Sequence, residues 1–313
     1  MLRTKTKIAL PIALKDFLQY VKLDLKTIKS IVANKNSYYS YFEIPKKKGG
    51  TRPITPSHRQ LKFIQLSTKN FLNECIKWPY YLHGGIKNKS VLTNAEFHRN
   101  KFMVVNVDIE KCFPSTSNQK IKEALCRLSI SEELSELLTD ICAYKDCLPQ
   151  GAPTSTCIAN IVLDSVDDVL FKFFKRRDFT YTRFVDDITV SGDTDLRTFK
   201  NIFYSAIQSA KYSISKYSVA GRNERQIVTG LVVNDKIRPT QQFIKQLKDD
   251  IKSGWPENET MEQVAYSYGF SVRELKNNVL GRLSFLKSID NKVGREVRGL
   301  LVKTIWPQDC KLN

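Results

Sequence analysis

A chain of 313 residues with 42% hydrophobic content buries a sizeable core, which excludes a disordered polyelectrolyte or a small disulfide-stapled scaffold. Fifty Lys and Arg against 32 Asp and Glu leave a formal charge of +18, which points to a polyanionic partner, nucleic acid or an anionic membrane. No stretch approaches the ~20 apolar residues that span a bilayer and the N-terminus lacks the apolar segment of a secretion signal, so the expected partner is nucleic acid and the expected location cytoplasmic.

The positive charge is concentrated at the start: residues 1–101 hold 20 basic and 5 acidic residues, 102–235 hold 16 and 18, and 236–313 hold 14 and 9. Leu61, Ile64 and Phe71 punctuate the first third at helical spacing, so it reads as packed structure and not as a basic tail. A helix is expected over 14–33, a hairpin over 38–56 around the turn "KKKGGT", and a helix over 58–76. Residues 102–109, "FMVVNVDI", form a nearly continuous apolar run, as a strand buried on both faces would, with Asp108 near its end.

Two amphipathic helices are expected next, one carrying Ile121, Ala124, Leu125 and Leu128, the other Leu134, Leu137, Leu138 and Ile141. "LPQGAPTS" breaks the pattern and supplies the N-terminus of one helix running from Ile158 to Phe173. "YTRFVDDITVSG", residues 181–192, then reads as strand, tight turn and strand, with Asp186 and Asp187 in the turn. A helix with Phe199, Ile202, Phe203, Ala206 and Ile207 follows, then two short strands ending at "VTGLVVN" and an all-helical tail. The seven cysteines, at 75, 112, 126, 142, 147, 157 and 310, contain no C-x-x-C pair and read as buried thiols of a reducing compartment.

On its own the Asp186–Asp187 dipeptide is better read as a solvated turn, because Asp favours turns. If the hairpin faced Asp108, however, the three carboxylates would suit hard divalent cations whose remaining ligands are water and phosphate. Such a pair of ions serves phosphoryl transfer.

Four segments in order decide between these readings. "NVDIEKCFPS", "LPQGAPTS" and "RFVDD" resemble the catalytic motifs of reverse transcriptases, and "KKKGGTRPITP" is similar to their fingers hairpin. The resemblance implies an α+β right-hand polymerase fold: fingers over 1–101 with part of the palm interleaved, a palm of antiparallel sheet flanked by helices over 102–235, and a helical, RNA-binding thumb over 236–313. It implies catalysis by Asp108, Asp186 and Asp187 with two Mg²⁺ ions, Mn²⁺ substituting, and the Ile109 carbonyl as a further ligand. Arg52, with Lys48 beside it, would grip the incoming triphosphate. Phe113, five residues after Asp108, matches the aromatic gate that excludes a 2′-hydroxyl. Gln150 and Gly151 match the segment touching nucleotide and template, and Val185 the apolar contact near the primer end. Phe184 and Val185 depart from the Tyr-Ala or Tyr-Met found in many relatives without touching the carboxylates.

Two further strings resemble the hallmarks of bacterial retron reverse transcriptases: "NAEFH", with Asn94 and His98, and "VTG", Val228, Thr229 and Gly230. "GRLSFLKSID" is similar to a segment of the retron thumb. These imply contacts with RNA and a defined activity. Such an enzyme binds its cognate folded noncoding RNA, primes from a 2′-hydroxyl of that RNA, and makes branched RNA-linked DNA from deoxynucleoside triphosphates. It serves anti-phage defence with an effector protein, in an oligomer with that effector where one forms. The alternatives are a maturase-like or abortive-infection reverse transcriptase, and a noncatalytic RNA-binding scaffold.

Overall fold

The computed structural model describes residues 6–8, 11–45, 49–253, 261–301 and 304. The first third contains β1 (Lys7–Ile8), α1 (Leu14–Val21), α2 (Leu25–Ala33), β2 (Phe42–Pro45), β3 (Thr51–Ile54), α3 (Arg59–Cys75), β4 (Ile76–Lys77) and α4 (Val91–Glu96). The single helix expected over 14–33 is two. Lys22 adopts a left-handed conformation with φ 54° and returns its N–H to the Leu18 carbonyl, and the Asp24 side chain then caps a new helix by accepting from the Thr27 N–H. β2 and β3 pair antiparallel with Ile44 opposite Arg52, as the hairpin reading expects.

The centre comprises β5 (Met103–Ile109), α5 (Asn118–Arg127), α6 (Glu132–Cys142), α7 (Ser155–Val162), α8 (Asp164–Lys175), β6 (Thr180–Phe184), β7 (Asp187–Gly192), α9 (Lys200–Ser209) and β8 (Ile214–Gly221). The helix expected after "LPQGAPTS" is broken at Leu163, which ends α7 and precedes α8. The four strands form one antiparallel sheet in the order β6-β7-β5-β8. β5 lies inside the sheet, so its side chains alternate between two packed faces: Met103, Val105, Val107 and Ile109 enter the main core, and Val104 enters a separate cluster behind it.

That main core runs from Ile12 to Tyr212 and crosses residue 101 without interruption, joining Phe17, Leu61 and Phe71 to Leu138, Ile158, Phe174 and Ile188. At its base lies a fully buried ion pair, Arg183 on β6 with Asp167 on α8, their closest atoms 2.6 Å apart. Cys112, Cys142 and Cys157 are buried, whereas Cys126 is exposed and Cys75 and Cys147 are half-buried, so burial of the thiols holds for only part of the set. Cys310 lies outside the described residues.

The last third contains β9 (Ile227–Val228), β10 (Leu231–Val232), β11 (Arg238–Pro239), α10 (Gln241–Lys252), α11 (Met261–Ser267), α12 (Val272–Ile289) and α13 (Asn291–Leu300). A reciprocal Ser271–Glu274 capping box starts α12. Its helices close on a core of their own, with Leu247, Ile251, Leu275, Val279, Leu283, Leu286 and Val297 buried. A small third cluster joins this unit to the sheet: Ala95 from α4, Val104 from β5, and Val228, Leu231 and Val233, with Phe285 and Ile289 of α12 packed against them. Among the described residues no helix is long and apolar enough to cross a membrane.

Because the helical core is separate, damage to it should stay local. Leu286 is fully buried there, and Leu286→Ala is expected to cost about 2–5 kcal/mol. Native-state hydrogen exchange should show that loss in α10–α13 and unchanged protection in β5–β7. Equal losses in both would show that the two cores open as one unit.

Candidate active site

The site begins with strand register. β5 and β7 pair so that Asp108 stands directly opposite Asp187. β7 is joined to β6 by a two-residue turn, Val185 and Asp186, with Phe184 paired to Asp187. Asp186 alone is therefore in the turn and Asp187 opens the following strand, a correction to the expectation that both occupy the turn; two residues suffice to reverse a hairpin. The Ile109 N–H donates to the Asp186 carbonyl at 3.1 Å and fastens the turn to the end of β5.

That turn is strained. Val185 has φ 61°, and among the described residues only it and Thr229, φ 45°, are β-branched with positive φ. Such a conformation costs about 1–3 kcal/mol and persists only where neighbours enforce it.

The three carboxylates disfavour one another's charge. Although Asp187 is exposed by surface area, the protein atoms crowded around its carboxyl strip away part of its hydration and push it up to about 7, the charges of Asp186 and Asp108 add to this, and Lys216 opposes it. Asp186 is raised in the same way, by burial first and then by Asp108, with the Arg52 and Arg183 cations pulling it down. Lys216 is opposite Asp108 on β8 while Ile214 is opposite Ile109, so Ser215 is the extra residue of a bulge. Its hydroxyl is aimed at Asp108, donating to the carboxylate and lying 3.3 Å from the Asp108 carbonyl. Ser215 and Lys216 went unread in the sequence, although "SISKYS" alternates as a strand does; register alone reveals that both face Asp108.

Among the described residues no group of three or more His, Cys, Asp or Glu side chains is arranged to hold a metal ion. The donor set nonetheless fits a divalent cation. It is all oxygen, Asp186 and Asp187 are both raised, and a hard cation with water and phosphate ligands needs only one or two such carboxylates.

The residues expected on the nucleotide side meet where β3 lies against the loop before α7. Arg52 is exposed on β3, close enough to act on Asp186. The Thr55 N–H donates to the Gln150 carbonyl at 2.6 Å. Gly151 has φ 111°, and a Cβ there would stand 3.1 Å from Ile54 Cγ2, so the loop lies against the end of β3. The Gln150 Oε1 is buried without a partner. Phe113 is half-buried against the main core, and its carbonyl accepts from the Leu148 N–H at 3.2 Å, tying it to the same loop. Lys48 lies outside the described residues.

The residues expected to touch RNA divide differently. Asn94, His98 and Val228 are fully buried, so these side chains have no surface to offer an RNA. His98 instead bridges the two strands of the β6–β7 hairpin, with Nδ1 at 2.7 Å from Ser191 Oγ and Nε2 at 2.7 Å from Thr182 Oγ1. Asn94 Nδ2 reaches Thr229 Oγ1 at 3.4 Å, and that hydroxyl donates to the Val91 carbonyl at 3.3 Å. Thr229 and Gly230, φ 45° and 84°, are the two-residue turn between β9 and β10. Thr229 is half-buried and Gly230 exposed, so within "VTG" the turn faces outward while Val228 joins the junction cluster.

The family described as "Reverse transcriptase (RNA-dependent DNA polymerase)" matches residues 44–219. The retron Ec86 reverse transcriptase of Escherichia coli is 27% identical over 91% of this chain and 87% of its own length. The retron Mx162 reverse transcriptase of Myxococcus xanthus is 31% identical over 73% of this chain and 56% of its own. Among solved structures, telomerase of Candida tropicalis in complex with the TWJ fragment of telomeric RNA shows 11% identity and a TM-score of 0.48, over 87% of this chain and 58% of that one.

Two outcomes are expected from these charges. In metal-free buffer at pH 8, Asp187→Asn should raise the thermal midpoint by a few degrees, and added Mg²⁺ should stabilise the variant less than the parent; an unchanged midpoint and an equal Mg²⁺ response would contradict the crowding of charge. Burial lowers His98 to about 3 and His83 to about 4. Both stay neutral in the folded state while the unfolded chain takes up protons below about 6.5, so stability is full above that pH and falls as pH drops toward 4, by up to about 1.4 kcal/mol per unit for each. His98→Gln should flatten the acid limb measured by urea unfolding.

Proposed function

Because the chain belongs to the reverse transcriptase family of RNA-dependent DNA polymerases, we propose that it is a retron reverse transcriptase: it copies its own structured noncoding RNA, starting from a 2′-hydroxyl of that RNA, into branched, RNA-linked single-stranded DNA. The observation that carries the active-site reading is the meeting of Asp108, Asp186 and Asp187 at one end of an antiparallel sheet, under the reach of Arg52. The retron reading adds the similarity that extends over 91% of the chain to one such enzyme.

In this reading residues 1–101 are the fingers with part of the palm, 102–235 the palm, and 236–313 the thumb. Asp108, Asp186 and Asp187, with the Ile109 carbonyl, would hold two Mg²⁺ ions, for which Mn²⁺ would substitute. When bound, such cations supply a more acidic primer hydroxyl and neutralise charge on the departing pyrophosphate. The chain's own residues do the rest. Arg52, with Lys48, grips the triphosphate; Gln150 and Gly151 seat the nucleotide against the template; Phe113 closes on its sugar; Val185 lies by the primer end. The basic first third attracts the RNA backbone, which is recognised by shape, phosphates and 2′-hydroxyls. Gly230, exposed, and Thr229, half-buried, are the part of the signature open to RNA. An effector protein and a role in anti-phage defence, in the cytoplasm, complete the proposal.

The test is the nucleic acid that accompanies the protein in its source. One DNA species of fixed sequence, joined to RNA by a linkage that a 2′,5′-debranching enzyme cleaves, is expected. Linear products of mixed sequence would overturn the retron reading and leave the polymerase site standing.

A further inference from the structure

Behind the strained turn lies a group of residues that contributes no atom to the carboxylate cluster. Arg183 is fully buried, and each nitrogen of its guanidinium has a protein partner. Nε and Nη2 donate to the two Asp167 carboxylate oxygens at 2.7 and 2.6 Å. Nη1 donates to Asn160 Oδ1 at 3.0 Å and Nη2 to the Asn160 carbonyl at 3.2 Å. Nη1 also donates to the Val185 carbonyl at 2.7 Å, two residues ahead in the chain. Asp167 further accepts from the Tyr181 hydroxyl at 2.6 Å, which locks its rotamer.

The segment before α4 presses on the turn from the other side. A Cβ at Gly84 would stand 2.5 Å from both the Val185 nitrogen and Cγ2, so only glycine allows this approach. Asn160 Nδ2 donates to the Gly84 carbonyl at 2.8 Å, and the His83 N–H donates to the Arg183 carbonyl at 2.9 Å. Asn160 therefore grips both the guanidinium and the glycine, and Val185 is fixed between them. A buried ion pair stabilises a fold little more than apolar packing of the same volume would, so its distinctive contribution is a fixed geometry.

We propose that Gly84, Asn160, Arg183 and Asp167 are positioning residues: they hold Val185 in its left-handed conformation and so set where the Asp186 carboxylate stands relative to Asp108. The proposal rests on the active-site reading above. Its action is on metal binding and turnover, with no contact to nucleotide or nucleic acid.

The experiment uses the full chain and reads Mn²⁺ binding by electron paramagnetic resonance, kcat and KM for a deoxynucleotide in primer extension, and the thermal midpoint. Deleting the Arg183 side chain would strand Asp167 in the core and unfold the sheet, so Asn160→Ala and Gly84→Ala are the variants. Each is expected to weaken Mn²⁺ binding and lower kcat about ten- to a hundredfold, with KM little changed, as loss of residues that orient metal ligands does. In a Val185→Gly background, where the left-handed turn needs no enforcement, the effect of Asn160→Ala on Mn²⁺ binding should shrink several-fold. A lower thermal midpoint with parental Mn²⁺ affinity and kcat in both variants would overturn the brace. Asp186→Asn separates the two readings: parental Mn²⁺ binding in that variant overturns the active-site assignment and the brace together, whereas lost binding there with none lost in Asn160→Ala overturns the brace alone.

Discussion

The mutual repulsion of Asp108, Asp186 and Asp187 is the constraint around which the centre of this protein is organised. Antiparallel register places Asp108 opposite Asp187, and a two-residue turn adds Asp186 beside them. Nothing in local propensity favours three carboxylates at one strand end; each raises the cost of ionising the next. The surroundings answer that cost in different ways. Ser215 donates a hydrogen bond from a bulge, Lys216 on β8 stands opposite Asp108, and the Arg52 cation acts from the β2–β3 hairpin. The compensation is partial, since Asp187 is still pushed up to about 7.

The same sheet explains the distribution of strain. Val185 and Thr229 are both β-branched, both left-handed, and both at the first position of a two-residue turn. Each is held by an asparagine-containing network: Asn160 and Arg183 behind Val185, Asn94 beside Thr229. Asn94 and His98 share α4 and the turn that follows it, and His98 bonds to β6 and β7 together. The segments "NAEFH", "VTG" and "GRLSFLKSID" thus converge through Ala95, Val228 and Phe285 on the cluster joining sheet to thumb. Their common property in this structure is a shared junction, from which Glu96, Phe97, Gly230 and Ser284 face outward.

Charge separates along the chain as the chemistry requires. The acidic cluster sits in the central segment, whose basic and acidic residues nearly balance, while the large positive excess belongs to residues 1–101. A polyanion drawn to the first third then meets a carboxylate cluster that repels it unless cations intervene. That coupling suits an enzyme acting on phosphates and would serve a passive RNA-binding surface poorly.

Much of the fold was legible in one dimension. The 3.6-residue stripes of α3, α5, α6 and α9, the apolar run of β5 and the hairpin flanking Asp186 and Asp187 came from periodicity, because those faces pack on a core wherever it lies. The breaks at Lys22 and Leu163 did not, since each depends on a single residue's backbone conformation. Motif order was enough to nominate Asp108, Asp186, Asp187, Arg52, Phe113, Gln150 and Gly151. Motif resemblance also nominated Asn94, His98, Val228, Thr229 and Gly230 as RNA contacts, without saying which of them are open to a partner. Only the tertiary structure decided that, by burying Asn94, His98 and Val228. It likewise brought Ser215, Lys216, Arg183, Asp167, Asn160 and Gly84 to the site from elements far apart in the chain. A spacing rule reads along one helix or strand, whereas a strand register, a bulge and a buried ion pair exist only between them.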